Sequence, residues 1–452
     1  MRMAIGNSNL RATQPTAPAS RPGRMALMLR SLRHRNFQLF FAGQLISLVG
    51  TWMQIIAQSW LVYRLTGSSL LLGSVGFASQ IPVFILSPIG GSVADRHNRH
   101  QLVIATQATS MVLASILAWL TLSNRIEVWH IFVLAALLGV VNAFDVPARQ
   151  TFIFDMVGKE DLMNAIALNS SMFNGARIIG PAIAGILVAS IGEGWCFFAN
   201  AVSFIAVIGG LLMMRVRKPE PYVGVKSTLE NVIEGFQFAR HAAPIRALLL
   251  LVGLVSLVGM PYSVLMPIFA GQIFHGGARS LGILMGATGV GALIGALALA
   301  SKHGLKGLGR WVAVTSMGFG VSLIAFAFSK SFWLATALLV PVGLTMMVQM
   351  ASTNTLIQAM VPDQLRGRVI ALYSMMFMGM APFGAFFAGA VAHKIGAPWT
   401  VAIGGIACIA GSAVFASKLS SFRAEARELI IAQGMAGGTP PDEMTAGGTA
   451  QR

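Results

Sequence analysis

The sequence predicts an all-α polytopic membrane protein, with twelve transmembrane helices arranged as two six-helix pseudo-symmetric halves. Three observations carry that reading. The first is composition: 55% of the 452 residues are hydrophobic and only 10% are charged. A soluble chain carries about 25% charged residues, so little of this one is suited to water. The second is a succession of twelve apolar stretches of helix length, each able to cross a hydrocarbon core roughly 30 Å thick. The third is an internal duplication. A shift of 204 positions lays residues 151–195 on residues 355–399 without a gap, and 17 of the 45 pairs are identical. Among them are Gly175/Gly379, Gly180/Gly384, Gly185/Gly389 and the closing Trp195/Trp399. Shared apolar bias alone does not keep glycines in one phase, so the chain reads as two copies of one unit.

Residues 1–35 hold seven arginines and no acid. No signal-type apolar core precedes the first long hydrophobic run, so this is expected to be a basic cytoplasmic tail held near anionic lipid. The N-terminal six-helix half follows over 36–215, with apolar cores near 37–63, 70–94, 102–123, 128–150, 164–191 and 195–215. Residues 216–245 form a cytoplasmic linker, charged and Pro-containing at first (Arg217, Lys218, Pro219, Pro221). It then turns amphipathic, with Leu229, Val232, Ile233 and Phe236 at helical spacing and Glu230 and Glu234 off the stripe. That pattern suits a helix on the membrane surface or a solvated linker helix. The C-terminal half spans 246–418, with cores near 246–273, 280–301, 311–329, 332–358, 368–393 and 398–418. The last segment, 419–452, ends in Gly, Thr, Pro and Asp and is expected to be a disordered cytoplasmic tail. The 49 glycines suit close approach of membrane helices.

The net charge of +17 is distributed by topology rather than gathered for nucleic acid. With the N-terminus inside, 26 of the 32 Lys and Arg fall on the cytoplasmic side; the other face holds Arg64, Arg125, Arg279, Lys330 and Lys394, and Arg177 lies inside a helix. That bias places both termini in the cytoplasm, with the chain integral to the cytoplasmic (inner) membrane. Cys196 and Cys408 are far apart in apolar runs, which argues against a disulfide framework. No histidine pair stands at ligand spacing within a span, so no metal and no cofactor is expected. No phosphate-binding loop of Gly-x-x-x-x-Gly-Lys-Ser/Thr type is present. A membrane-embedded enzyme would need a nucleophile–base pair or metal ligands inside spans, and none stands out.

Three motifs are more specific. Gly91-Ser-Val-Ala-Asp95-Arg96-His97-Asn98-Arg99 joins spans two and three. Here Gly91 is expected to let helices touch, Asp95 to cap or pair, and Arg96 and Arg99 to hold the loop at the headgroups. The stretch resembles the signature loop of the major facilitator superfamily, departing from it at Asn98 and His100. Gly175, Gly180, Pro181 and Gly185 on span five resemble the Gly-Pro motif of that superfamily's exporters, a helix-packing motif in which glycines thin the helix and Pro181 loosens it. The run Asn142-Ala-Phe-Asp145-Val-Pro147-Ala-Arg149-Gln150, with residues 45–65 and 164–170, resembles the subgroup containing enterobactin exporters. The resemblance implies the major facilitator fold and efflux of a small siderophore-like or drug-like organic molecule. It further implies alternating access and proton-coupled antiport, with a monomer as the expected working unit. A transporter-like receptor or scaffold, or an importer of a small metabolite, is the alternative.

Arg177 lies near the bilayer midplane, where an isolated Arg costs several kcal/mol unless it meets a polar cavity or a partner. Either it contacts an anionic or carbonyl-rich substrate or it pairs with a buried acid, for which Asp145 is the nearest candidate. Asp145 and Arg149 are one helical turn apart and suited to pair; Arg149 is alternatively within reach of Asp95 as a gating latch. Asp145, the acid placed inside a span, is the candidate for proton coupling. Gln54, Gln58, Asn142 and Asn174, with Gln44, Asn169, Tyr262, Gln349 and Asn354, are suited to line a central cavity or to join helices by hydrogen bonds. In the repeat Asp145 falls on Gln349, Arg149 on Thr353 and Arg177 on Ala381. The second copy keeps the glycine phase and drops the charges, which places the mechanism in the first half.

Overall fold

The computed structural model describes residues 29–215, 228–301, 304–305 and 307–435. The basic tail up to residue 28, the charged linker stretch 216–227 and the Gly/Thr/Pro stretch 436–452 lie outside the described residues. The first half comprises α1 (Arg35–Thr66), α2 (Ser69–Arg96), α3 (Arg99–Leu122), a run over Val128–Ile191, and α6 (Glu193–Leu212). The run is broken at Gly158, where φ is +70°. A side chain would strain that left-handed backbone, so the glycine turns one long apolar run into two antiparallel spans, α4 (128–157) and α5 (159–191). After α7 (Thr228–His241) come α8 (Ala243–Ile273), α9 (Ala278–Ala300), α10 (Leu308–Ala327), α11 (Phe332–Met360), α12 (Asp363–Met378 continued by Ala381–Ile395), α13 (Ala397–Ser417) and α14 (Leu419–Met435). Among the described residues, eleven helical runs are long and apolar enough to span a membrane. Counting α4 and α5 separately gives the expected twelve, six on each side of α7.

Two segments outside the spans differ from expectation. The expected disorder beyond residue 418 is corrected over Leu419–Met435, which is helical. Leu419, Phe422, Ala426 and Leu429 recur at helical spacing and pack on the second half, and Ile430 is buried. The Glu425 carboxylate also accepts a hydrogen bond from the Ala243 N–H at 2.9 Å, capping the start of α8. The Gly-, Thr- and Pro-rich composition is confined to the stretch after residue 435. In α7 the helix is present, but its packed side is Gly235, Phe238 and Ala239 against α12, with Phe236 exposed. Glu234 forms an ion pair with Arg368 at the foot of α12.

The halves meet through α5 on α9 and through α2 on the Ala381–Ile395 part of α12. One glycine pair makes each approach possible. A Cβ on Gly282 would lie 2.6 Å from the Pro181 carbonyl oxygen and 2.8 Å from Gly185 Cα; one on Gly389 would lie 2.6 Å from the Ser69 carbonyl oxygen and 2.9 Å from Gly73 Cα. Gly185 and Gly389 are partners in the 204-residue repeat, and Gly73 and Gly282 each stand four residues into α2 and α9. The two contacts are therefore pseudo-twofold copies of one another. Both lie on the face opposite the one bearing α7 and α14. Deeper in, Phe77 and Phe84 of α2 meet Phe383 of α12 with ring centroids 6.0 and 5.9 Å apart. Towards the face of α7 and α14, the Asp363–Met378 part of α12 packs on α7 and α8 of its own half. Closure is thus concentrated on the opposite face, and the halves part towards the α7 face.

Candidate functional site

The charged residues of the first half lie mostly in a cluster near the α7 face, with Arg64, Arg125, Glu127 and Glu193 on the opposite face and a lone guanidinium at mid-depth. Asp145 is buried on α4, 3% exposed. Its Oδ1 accepts hydrogen bonds from the Thr106 hydroxyl and the Gln107 amide of α3, each at 2.8 Å, and its Oδ2 lies 3.2 Å from Arg149 Nη2. The i,i+4 spacing legible in the sequence therefore yields a real ion pair, and the neutral donors of α3 lock α3 to α4. The alternative of Arg149 reaching Asp95 is not what forms. Arg149 turns back to Asp145, and Asp95 instead pairs with Arg99 at 3.6 Å.

In the signature loop, Arg99 is the centre. Its Nη1 lies 3.1 and 3.2 Å from the two carboxylate oxygens of Asp155, and its Nε donates to the Ala94 carbonyl at 3.3 Å. Asp155, on the last turns of α4, is the partner of Arg99 that sequence reasoning missed. Both departures from the superfamily pattern have structural work. Asn98 is the N-cap of α3, its Oδ1 accepting from the backbone N–H of His100 and Gln101 at 3.0 and 3.3 Å. His100 Nε2 lies 2.8 Å from the Leu211 carbonyl at the end of α6. Arg96 is exposed. Gly91 has open space around it; Gly90 takes the close approach expected of it, with its would-be Cβ 3.1 Å from Phe144 Cα.

Arg177 stands about 21 Å from the end of α5 at 1.5 Å per residue. It does not pair with Asp145; its guanidinium sits over the Trp52 ring of α1, 5.7 Å from the centroid. Trp52 meets the edge of Phe173 at 5.6 Å. From the second half, Tyr262 of α8 and Thr288 of α9 are buried, the Thr288 hydroxyl donating to the Leu284 carbonyl of its own helix at 3.3 Å. A Cβ on Gly289 would be 3.4 Å from the Arg177 carbonyl oxygen. The α5 glycines hold this arrangement in place: a Cβ on Gly180 would lie 3.0 Å from the Val49 carbonyl, and Gly185 meets Gly282. Gly175 has no neighbour within 4 Å and does not share their packing role.

The four polar candidates divide. Gln54 is buried in the α1–α6 seam, accepting from Asn200 Nδ2 at 2.7 Å, so it joins helices. Asn174 donates to the Ser170 carbonyl of its own helix at 2.9 Å. Asn142 and Gln58 are half-buried. Two further ionic contacts were not foreseen. Arg64 at the end of α1 holds Glu193 at the start of α6, Nε to Oε1 at 2.7 Å. Asp161, in the first turn of α5, is 1% exposed and gathers Arg30, Arg33 and His34 at 2.7, 2.8 and 2.7 Å. The Ser31 N–H also donates to Asn164 Oδ1 at 2.9 Å. The segment ahead of α1 is thereby strapped to the foot of α5.

The His34 hydrogen bond, ahead of the charges of Arg30 and Arg33, holds the Asp161 carboxyl below the usual carboxylate range, against the opposing pull of burial. A depressed pKa stabilises the docked state above the unperturbed value of about 3.9, and that contribution is lost as pH falls through the lowered value. Hydrogen exchange over residues 29–36 is therefore expected to stay slow from neutrality down through the ordinary carboxylate range and to rise only below it. In Asp161→Asn it is expected to be fast at every pH; protection unchanged by that substitution would show the strap to be held by something else.

The comparisons with known proteins agree with this architecture. A family model described as transmembrane secretion effector matches residues 27–434. The staphyloferrin A transporter of Staphylococcus aureus is 28% identical over 379 residues, covering 83% of this chain and 94% of that protein. Macrolide efflux protein A of Streptococcus pyogenes is 24% identical over 387 residues, covering 83% and 94%. Among solved structures, a bacterial homologue of the iron transporter ferroportin in an inward-facing state superposes with a TM-score of 0.65 at 19% identity, covering 85% of this chain and 98% of that one. With twelve spans in two halves and a match along nearly its whole described length, the chain belongs to the transmembrane secretion effector family of the major facilitator superfamily, efflux-type membrane transporters and not enzymes.

Proposed function

We propose that this chain exports a small organic molecule across the cytoplasmic membrane by alternating access, as a proton-coupled antiporter, with the α7 face and both termini in the cytoplasm. The observation that supports this best is the uneven closure of the two halves. They touch backbone to backbone at two pseudo-symmetric glycine pairs on one face and part towards the other. That is the arrangement of a molecule resting open to the side from which cargo is collected. Helix contacts that hinge on glycine pairs suit an interface made in one state and broken in the other. The excess of Lys and Arg on the α7 side favours the cytoplasm for that face.

In this reading Asp145 is the coupling acid. Protonating it weakens its hold on Arg149 and on the α3 donors Thr106 and Gln107, so proton arrival changes how α3 and α4 are joined. Efflux by cells carrying the gene is expected to collapse when a protonophore is added. Asp145→Asn, which keeps an acceptor and loses the charge, is expected to give residual efflux that no longer responds to the protonophore. A wild-type response in that variant would remove Asp145 from the relay. The candidate cargoes are those suggested by the relatives, siderophore-like and macrolide-like molecules.

A further inference from the structure

We infer that the exported molecule carries a carboxylate or an equivalent planar anionic group, and that Arg177 binds it at mid-depth. This rests on the efflux reading above. The inference follows from an inventory of charge. Asp145 is taken by Arg149, Thr106 and Gln107. Asp155 and Asp95 hold Arg99, Asp161 holds Arg30, Arg33 and His34, and Glu193 holds Arg64. All of these except Asp145 lie at helix ends. From Ala243 to Ser417, the six spans of the second half contain a single acid, Asp363, at the foot of α12. Among the described residues no carboxylate comes within ion-pair distance of Arg177; its contact is the face of Trp52. The middle of the transporter therefore holds one uncompensated cation and faces a wall with no negative charge.

The surroundings suit an anion in shape as well as sign. The guanidinium lies over the Trp52 ring, 5.7 Å from its centroid, and its N–H groups are left to donate. A carboxylate meets such an edge with two parallel hydrogen bonds, where a single point charge would not fix orientation. Phe173 extends the aromatic wall beside Trp52. The backbone of α9 approaches from the other half, where a Cβ on Gly289 would be 3.4 Å from the Arg177 carbonyl oxygen. A ligand held here touches both halves, so its binding bears on their relative position. A lipophilic cation entering the same place would meet a positive charge in a medium of low dielectric, with no acid to offset it. The site thus separates two cargo classes that the family likeness leaves together.

The test uses the full-length chain in proteoliposomes with an imposed proton gradient and two dyes, carboxyfluorescein as the organic anion and ethidium as the cation. Wild type is expected to move carboxyfluorescein and not ethidium. Arg177→Gln is expected to cut carboxyfluorescein transport about tenfold or more, the loss of one charge-assisted contact. Arg177→Lys, which keeps the charge and loses the fork, is expected to raise KM severalfold with a smaller change in kcat. If Arg177→Gln fails to reconstitute, the Lys variant and the wild-type dye preference still decide. Ethidium movement that persists in Arg177→Gln would overturn the anion assignment and leave efflux standing. Undiminished carboxyfluorescein movement in Arg177→Gln would overturn the role of Arg177. Movement of neither dye by wild type would remove the efflux reading and this inference together.

Discussion

A leucine at Gly282 will push the two halves apart on the face opposite α7 and abolish most transport. The Cβ alone would sit 2.6 Å from the Pro181 carbonyl oxygen and 2.8 Å from Gly185 Cα. Both obstacles are backbone, which no rotamer change relieves, so α5 and α9 must separate. Overpacking a tight contact costs about 1–3 kcal/mol, enough to shift a transporter balanced between two states by one or two orders of magnitude. Spin labels at Arg125 and Lys330, exposed on opposite halves of that face, are expected to report a longer distance in Gly282→Leu. A leucine at Gly389, in the pseudo-symmetric contact, is expected to do the same at α2. Gly286, on the same α9 with open space around it, supplies the control: Gly286→Ala leaves the distance unchanged. A distance distribution in Gly282→Leu that overlays the wild type would refute the idea that the glycine pairs close this face.

The second large effect is on stability. Asp145→Ala removes the acid that Arg149, Thr106 and Gln107 converge on. Breaking a buried ion pair from one side costs about 3–5 kcal/mol, because the surviving charge is left unpaired. The Arg149 side chain is 22% exposed, so part of its charge is solvated and the lower end applies, about 3 kcal/mol. Asp145→Asn keeps an acceptor for the α3 donors and is expected to cost less than half of that. Thermal unfolding of the detergent-solubilised proteins checks the order; an Asp145→Ala midpoint equal to wild type would mean the cluster holds nothing together. The comparison also guards the protonophore experiment, since Asn tests coupling in a variant that still folds.

Much of the fold was legible because it rests on local or periodic signals. The twelve spans follow from apolar runs, and the break between α4 and α5 falls where the charges of Gly158-Lys159-Glu160-Asp161 interrupt them. The pair Asp145–Arg149 follows from helical spacing alone. What stayed hidden depends on which helices become neighbours. Arg99 meets Asp155, Gln54 meets Asn200 and Arg64 meets Glu193, all pairs set by tertiary register. Gly73 and Gly282 escaped the repeat because the α2–α3 and α9–α10 regions run at a different offset from the one that aligns α5 with α12. Gly91 was favoured over Gly90 because the motif names it, whereas the helix face is set by where α4 crosses α2. Arg177 was found for its depth, but its freedom from any acid could only be established once every carboxylate had been placed.

The strap at the foot of α5 has a counterpart in the second half. Ser31 touches Asn164, and 204 positions on, Gly235 packs on Arg368, where a Cβ would lie 3.0 Å from Arg368 Cβ. Arg30 meets Asp161 in the first half, while Glu234 meets Arg368 in the second. The place of contact survived duplication and its polarity reversed. A leader segment that wandered to the wrong half would set Arg30 against Arg368, or Glu234 against Asp161, like charge against like. The two copies therefore carry opposite charges at this place, so each leader segment is electrostatically matched to its own half and mismatched to the other.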